Sequence, residues 1–254
     1  MSSTYGSRTE TLHPVQQAAI QAIHYDASTK ITIKFKSNWW TRLCSIKGGQ
    51  AATDLPIRVC VYLSPEFGTE NVPTVLLCSY TWGQEAQKMA SLVNRDTSSK
   101  ELEQLLRHNL ALLHHSYIDR SSGKPYMFEG MLRIIQDKYD GFHAYDWCGD
   151  SSVSGAFAYF GPEQFRHFYP KLVRPAGNGH MFLIGEACFA NHAWVSGSLD
   201  SSYRVLLQLL YKLIAQGLVS PHVLSELKVP WGQPDEIPEE VLEWQMYLTL
   251  VTSR

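Results

Sequence analysis

The chain has 254 residues, 44% of them apolar and 18% charged, which is enough for a large core in one or two domains. A net charge of -2 with no Lys/Arg block argues against nucleic acid or an acidic membrane surface as a partner. Five cysteines, an odd number with no CxxC pair, fit neither a disulfide framework nor a structural zinc site. Reduced thiols and the lack of a signal-like or membrane-spanning apolar run point to a cytoplasmic protein.

Residues 1–12 are small and polar and read as a loosely held start. Pro14–Ile23 has helical spacing. Lys30–Phe35 alternates, with Ile31, Ile33 and Phe35 on one side, as a half-buried strand does. Gly48-Gly49 and Asp54-Leu55-Pro56 punctuate a loop between that strand and two more, Arg58–Leu63 and Thr74–Tyr80. The last is nearly continuous in apolar residues and is expected to be covered on both faces. Helices follow at Glu85–Leu92 and Ser99–His115, the second with Ser99 as cap and a stripe of leucines. Tyr126–Ile135 is read as a strand, Glu163–His167 as a short helix and His180–Ile184 as a short strand ending in Gly185-Glu186. Leu199–Gln216 is a helix stopped by Gly217, and an amphipathic helix is expected at Glu239–Val251. His108, His114 and His115 lack the carboxylate or Cys that would complete a metal set, so they read as a helix face and its frayed end, and no metal site is expected. Gly197-Ser198 lacks the GxSxG pattern of a hydrolase nucleophile.

The most specific run is Met181–Arg204: an apolar stretch, Gly185-Glu186, a loop with His192 and Trp194, Gly197, then a long helix. Upstream and in order lie Lys30-Ile31-Thr32-Ile33 with Trp39-Trp40, then Gly48-Gly49 with Thr53-Asp54-Leu55-Pro56. Leu76–Tyr80, Asp146-Trp147, Gly155-Ala156-Phe157 and Pro162–Phe168 follow. This collinear set, spanning roughly residues 13 to 215, resembles the C-terminal half of flavin-dependent L-amino-acid oxidases, within the flavin amine oxidases. The resemblance implies an α+β chain with a mixed sheet, divided as a partial substrate domain (13–160), a C-terminal remnant of the FAD domain (161–217) and a tail (218–254).

The resemblance also implies roles. Lys30 matches a lysine that holds a water near the flavin, and Tyr80 matches a tyrosine that binds the substrate carboxylate. Trp147, Phe157, Ala193 and Trp194 match substrate-side positions. Gly185, Glu186, Trp194 and Val195 match positions along the flavin. Ala193 stands where relatives usually have a glycine whose carbonyl faces the substrate amine. Read without the family, Lys30 is a rim lysine and the aromatics are core or rim packing.

No GxGxxG occurs anywhere in the chain, so these residues offer no cradle for a pyrophosphate. FAD is therefore expected only with a partner chain that carries the dinucleotide-binding half, or not at all. A symmetric copy is the other way to cover surface that the missing half would bury. Three readings stay open: a component of an amine or L-amino-acid oxidase acting on a small amine substrate, a cofactor-independent enzyme of specialised metabolism that reuses the aromatic cavity, and a non-catalytic remnant.

Overall fold

The computed structural model describes residues 12–63, 72–93, 99–119, 121–153 and 155–231. The tail helix expected at Glu239–Val251 lies outside these residues. The chain divides into two compact units: residues 26–156 form one, and residues 1–25 with 157–254 form the other. The boundary expected at 160/161 thus falls inside the discontinuous unit, and the first helix packs with the C-terminal segment.

In the discontinuous unit, α1 (Pro14–Ala22) starts at His13, whose side chain accepts from the Val15 amide, and Pro14 supplies a preset φ at the first helical position. The chain then forms β1 (His24–Tyr25) and enters the continuous unit.

The continuous unit is β2 (Ser28–Phe35), α2 (Trp39–Cys44), β3 (Gly49–Ala52), β4 (Val59–Tyr62), β5 (Thr74–Trp82), α3 (Gly83–Ala90), α4 (Lys100–His114), α5 (Phe128–Lys138) and β6 (Tyr139–Asp146). Its five strands lie in the order β3-β4-β5-β2-β6, and every pairing is antiparallel rather than mixed. One face of the sheet, carrying Ile31, Ile33, Phe35, Cys60, Tyr62, Leu76 and Cys78, is packed in one core with Trp39, Trp40, Leu102, Leu106, Leu110, Met131 and Ile135 of the helices. Ser99 caps α4 as expected, accepting from the Leu102 amide.

Three expectations are corrected here. Residues 128–138 are a helix, because Phe128, Met131, Leu132 and Ile135 recur at helical spacing and that face meets the core. Gly49–Ala52 is an edge strand paired with β4, and the turn of that hairpin is Asp54-Leu55-Pro56, closed by the Thr53 amide donating to the Arg58 carbonyl. Strand β5 is covered on one face only: Val75 and Trp82 are each 39% exposed. Its apolar run is longer than one face needs because Val75 and Leu77, on the side away from the core, are apolar as well as the buried Leu76 and Cys78.

His114 is not a frayed end. It is fully buried, with Nδ1 2.7 Å from the Leu110 carbonyl and Nε2 2.6 Å from the Tyr62 hydroxyl. A carbonyl can only accept, so Nδ1 carries the proton and Nε2 accepts from Tyr62. Burial pulls its pKa down from 6.5 to about 4.

The chain returns to the discontinuous unit as β7 (Ala158–Tyr159), α6 (Gln164–Leu172), a single 3-10 turn (Glu186–Cys188), α7 (Val195–Ala215) and α8 (His222–Trp231). Strand β7 pairs antiparallel with β1, and the Gln16 side chain donates to the Arg174 carbonyl at 2.7 Å, tying α1 to the end of α6. Helix α7 begins four residues before Leu199. It ends as expected at Gly217, where φ of +71° lets the next amide reach back to Leu213. The strand expected at His180–Ile184 is absent: only Met181 forms a bridge, to Ala176, and the Leu183 carbonyl accepts from Arg204 instead.

Candidate active-site residues in the two units

The sheet face away from the helical core carries the first group. Lys30 of β2 lies in register with Tyr80 of β5 on one side and Tyr145 of β6 on the other, so all three project from the same face. The Lys30 Nζ sits 4.6 Å from the centroid of the Tyr80 ring. The Tyr80 and Trp82 rings are 4.2 Å apart, and the Tyr145 and Trp147 rings meet edge to face at 4.8 Å. The Tyr145 hydroxyl donates to Asp150, and the Trp147 amide donates to the Ser28 carbonyl, which holds the end of β6 against the start of β2.

A bulge makes this face. Ile31 pairs with Ser79 but Thr32 pairs with Leu77, leaving Cys78 as the extra residue. Cys78 and Ser79 are both fully buried, and the Ser79 hydroxyl is satisfied by the Ile57 carbonyl at 3.0 Å. The alternation set by Leu76 and Cys78 would otherwise send Tyr80 into the core. The extra residue shifts the phase, so Tyr80 and Trp82 emerge beside Lys30.

The second group lies in the discontinuous unit. Gly185 adopts φ 127°, a conformation open to glycine, and its amide donates to the Ser201 hydroxyl at 2.9 Å. The Glu186 carboxylate accepts from the Ala158 amide through both oxygens at 3.2 Å and from the Ala193 amide at 2.6 Å. Ala193 is left-handed, with φ +67°. Trp194 then caps α7 in extended conformation without a side-chain hydrogen bond, so the first turn of a 21-residue helix has no capping side chain for its free amides. Trp194 and Val195 are 70% and 76% exposed. Gly197 is required by a close approach: a Cβ there would stand 2.2 Å from the Asn191 carbonyl oxygen. Phe157 is half-buried and opens the return of the chain into this unit.

Sequence reading missed Tyr145, Trp82, Asp150 and Arg204. Tyr145 and Trp147 at i, i+2 signal a strand face, but Asp140, Gly141 and Asp146 dilute it. Arg204 is fully buried in α7. Its guanidinium donates to the carbonyls of Val173 and Leu183 at 2.8 and 2.9 Å, to Cys188 at 3.4 Å and to Gln208 at 3.1 Å, gripping both sides of the Gly185-Glu186 turn. Burial lowers its pKa from the ordinary value, an effect countered in part by Cys188 and Tyr169. Burial likewise raises the pKa of Tyr25, with the nearby Glu186 adding to it.

Among the described residues no cluster of His, Cys, Asp and Glu could hold a metal, and no helix is long and apolar enough to cross a membrane.

The model of the family described as "Flavin containing amine oxidoreductase" matches residues 7–205. A Dictyostelium discoideum protein named as a bifunctional amine oxidase is 35% identical over 92% of this chain, which covers 20% of that protein. L-amino-acid oxidase 4 of Hebeloma cylindrosporum is 34% identical over 92% of this chain and 36% of its own length. The L-amino-acid oxidase of Siganus canaliculatus is 31% identical over 73% of this chain and 31% of its own. The chain therefore spans between a fifth and just over a third of these relatives. Among solved structures, cyclohexylamine oxidase from Brevibacterium oxydans aligns over 70% of this chain and 33% of its own, with 15% identity and a TM-score of 0.47.

Proposed function

We propose, from the premise that this chain belongs to the flavin containing amine oxidoreductases, that it forms the substrate-side part of an FAD-dependent L-amino-acid or amine oxidase. The dinucleotide grip comes from polypeptide outside these 254 residues. The observation that carries the reading is the Lys30–Tyr80 pair, set by the Cys78 bulge on an aromatic sheet face, in a chain whose family match runs through both residues.

The residues fit the ring end of FAD and not its dinucleotide end. Gly185 presents open space where a Cβ would stand, the α7 amides lie beside the exposed Trp194, and a helix N-terminus favours electron-rich or anionic atoms. No glycine-rich strand–turn–helix exists in the sequence to take a pyrophosphate. When bound, FAD accepts two electrons as the substrate amine becomes an imine, and O₂ takes them up to leave as hydrogen peroxide.

The protein supplies orientation. The Tyr80 hydroxyl offers a hydrogen bond to a substrate carboxylate. Lys30 Nζ, held over the Tyr80 ring, orients a water. Trp82, Tyr145 and Trp147 wall the face against bulk solvent. Trp194 and Val195 offer apolar surface to the flavin ring.

The test is a visible spectrum of the purified chain, recorded alone and after mixing with the N-terminal, dinucleotide-binding half of the Hebeloma relative, followed by a peroxide assay on L-amino acids and simple amines. A flavin band and peroxide only in the mixture are expected. Stoichiometric FAD on the isolated chain would overturn the borrowed grip. A colourless chain that turns over a substrate would replace the reading with a cofactor-independent one.

A further inference from the structure

We infer that Glu186 is a positioning residue, whose carboxylate binds the Ala158 and Ala193 amides and so fixes the corner that presents Trp194. The inference builds on the reading above, in which that corner receives the flavin ring. The resemblance alone would have Glu186 reach a ribityl hydroxyl. Its geometry points inward first.

Both carboxylate oxygens lie 3.2 Å from the Ala158 nitrogen, and Oε1 lies 2.6 Å from the Ala193 nitrogen. A carboxylate has about four acceptor positions, so these contacts occupy most of them and leave room for one outside donor. The Ala193 contact is short and charge-assisted, hence strong. It bears on a residue that needs it: an alanine at φ +67° has its Cβ crowded against its own backbone, and a lone L-residue stays there only when something holds it.

The corner is anchored at both flanks. The Gly185 amide is bound to Ser201, and Gly197 closes on Asn191 with no room for a side chain. Between these anchors the one strained residue is Ala193, and Glu186 is the group bonded to its amide. Releasing that bond lets Ala193 relax to negative φ, which swings its carbonyl and the following Trp194.

Leucine keeps the size of Glu186 and removes both acceptor oxygens, leaving the Ala158 and Ala193 amides without this partner.

The full chain, 28.8 kDa and ¹⁵N-labelled, provides the test by NMR. The Ala193 amide resonance of the wild type is expected well downfield of an ordinary alanine amide, as a short charge-assisted hydrogen bond requires. In Glu186→Leu the Ala193 and Ala158 amide resonances move upfield and the Trp194 indole resonance moves with them. In Glu186→Leu with Ala193→Gly the indole resonance returns toward its wild-type position, because glycine takes the left-handed conformation without steric cost. The wild-type Ala193 resonance needs no variant to fold. An Ala193 amide at an ordinary shift in the wild type, or an indole resonance unmoved in Glu186→Leu, would overturn the inference. None of these signals needs flavin, substrate or a second chain, so a failure of the oxidase reading would leave them intact and is read separately.

Discussion

Lys30 and Tyr80 face each other across adjacent antiparallel strands, with the lysine nitrogen 4.6 Å from the ring centroid, and the extra residue Cys78 brings them to the same side. Tyr80→Phe keeps the ring under Lys30 and removes only the hydroxyl. In the reconstituted oxidase it should raise KM for an L-amino acid about tenfold, consistent with loss of one hydrogen bond to a charged group. Lys30→Met should lower kcat at least as much. Both side chains are only half-buried, so thermal unfolding of either variant should stay close to wild type.

Deleting Cys78 should remove the bulge yet keep the faces of β5. Cys78→Ala leaves the bulge and removes one buried sulfur. In the deletion Ser79 follows Leu77, and strict alternation keeps Ser79 inward and Tyr80 and Trp82 outward, in register with β2. Circular dichroism melts should show a modest loss for Cys78→Ala and a larger loss, still with a cooperative transition, for the deletion, which gives up a whole buried residue.

The buried cysteines are inert by environment. Cys44 and Cys60 are pushed up to about 12 by burial, Cys78 and Cys188 are raised for the same main reason, and Cys148 is the exposed thiol. Iodoacetamide on the native chain at neutral pH should label Cys148 alone. In denaturant it should label all five. Mass spectrometry counts the adducts, and rapid native labelling of a second cysteine would contradict the packing described.

His114 makes stability depend on pH. Its folded pKa is depressed to about 4 from 6.5, so as acid is added the unfolded chain takes the proton first. The contribution is complete above about pH 6.5 and is lost as pH falls toward 4, amounting to about 3 kcal/mol from the size of the shift. Urea titrations across that range should show the decline, and His114→Leu should flatten it.

Arg204 should tolerate no simple exchange. Arg204→Lys keeps a charge but has no fork to reach Val173, Leu183 and Cys188 together, and Arg204→Met takes this donor from the Leu183 and Cys188 carbonyls and leaves Val173 with Gln208 alone. A loss of about 3 kcal/mol is expected for the methionine variant, measured by chemical denaturation.

These elements show what a single sequence discloses. The face of β2 was legible because Ile31, Ile33 and Phe35 alternate cleanly, and α4 because its cap and leucine stripe agree. Family motifs pointed to Lys30 and Tyr80, yet the reason they meet was hidden. A bulge is one unpaired residue, and Cys78 looks like any other apolar strand position. Helix α5 was misread because the ten residues Tyr126–Ile135, seven of them apolar, satisfy either period until it is known which face has a neighbour. Arg204 was invisible because its partners are backbone carbonyls far away in sequence, and no side-chain pattern records them.

The division of the chain sets an order of synthesis. Every strand of the five-stranded sheet has been translated by residue 146, well before the ribosome reaches α6, while α1, made ahead of the sheet, must wait for Arg174 to receive its Gln16 side chain. During that interval α1 is a nascent segment without its partner at the end of α6, which makes it the natural point of contact for chaperones and the region whose exposure a pause in translation would prolong.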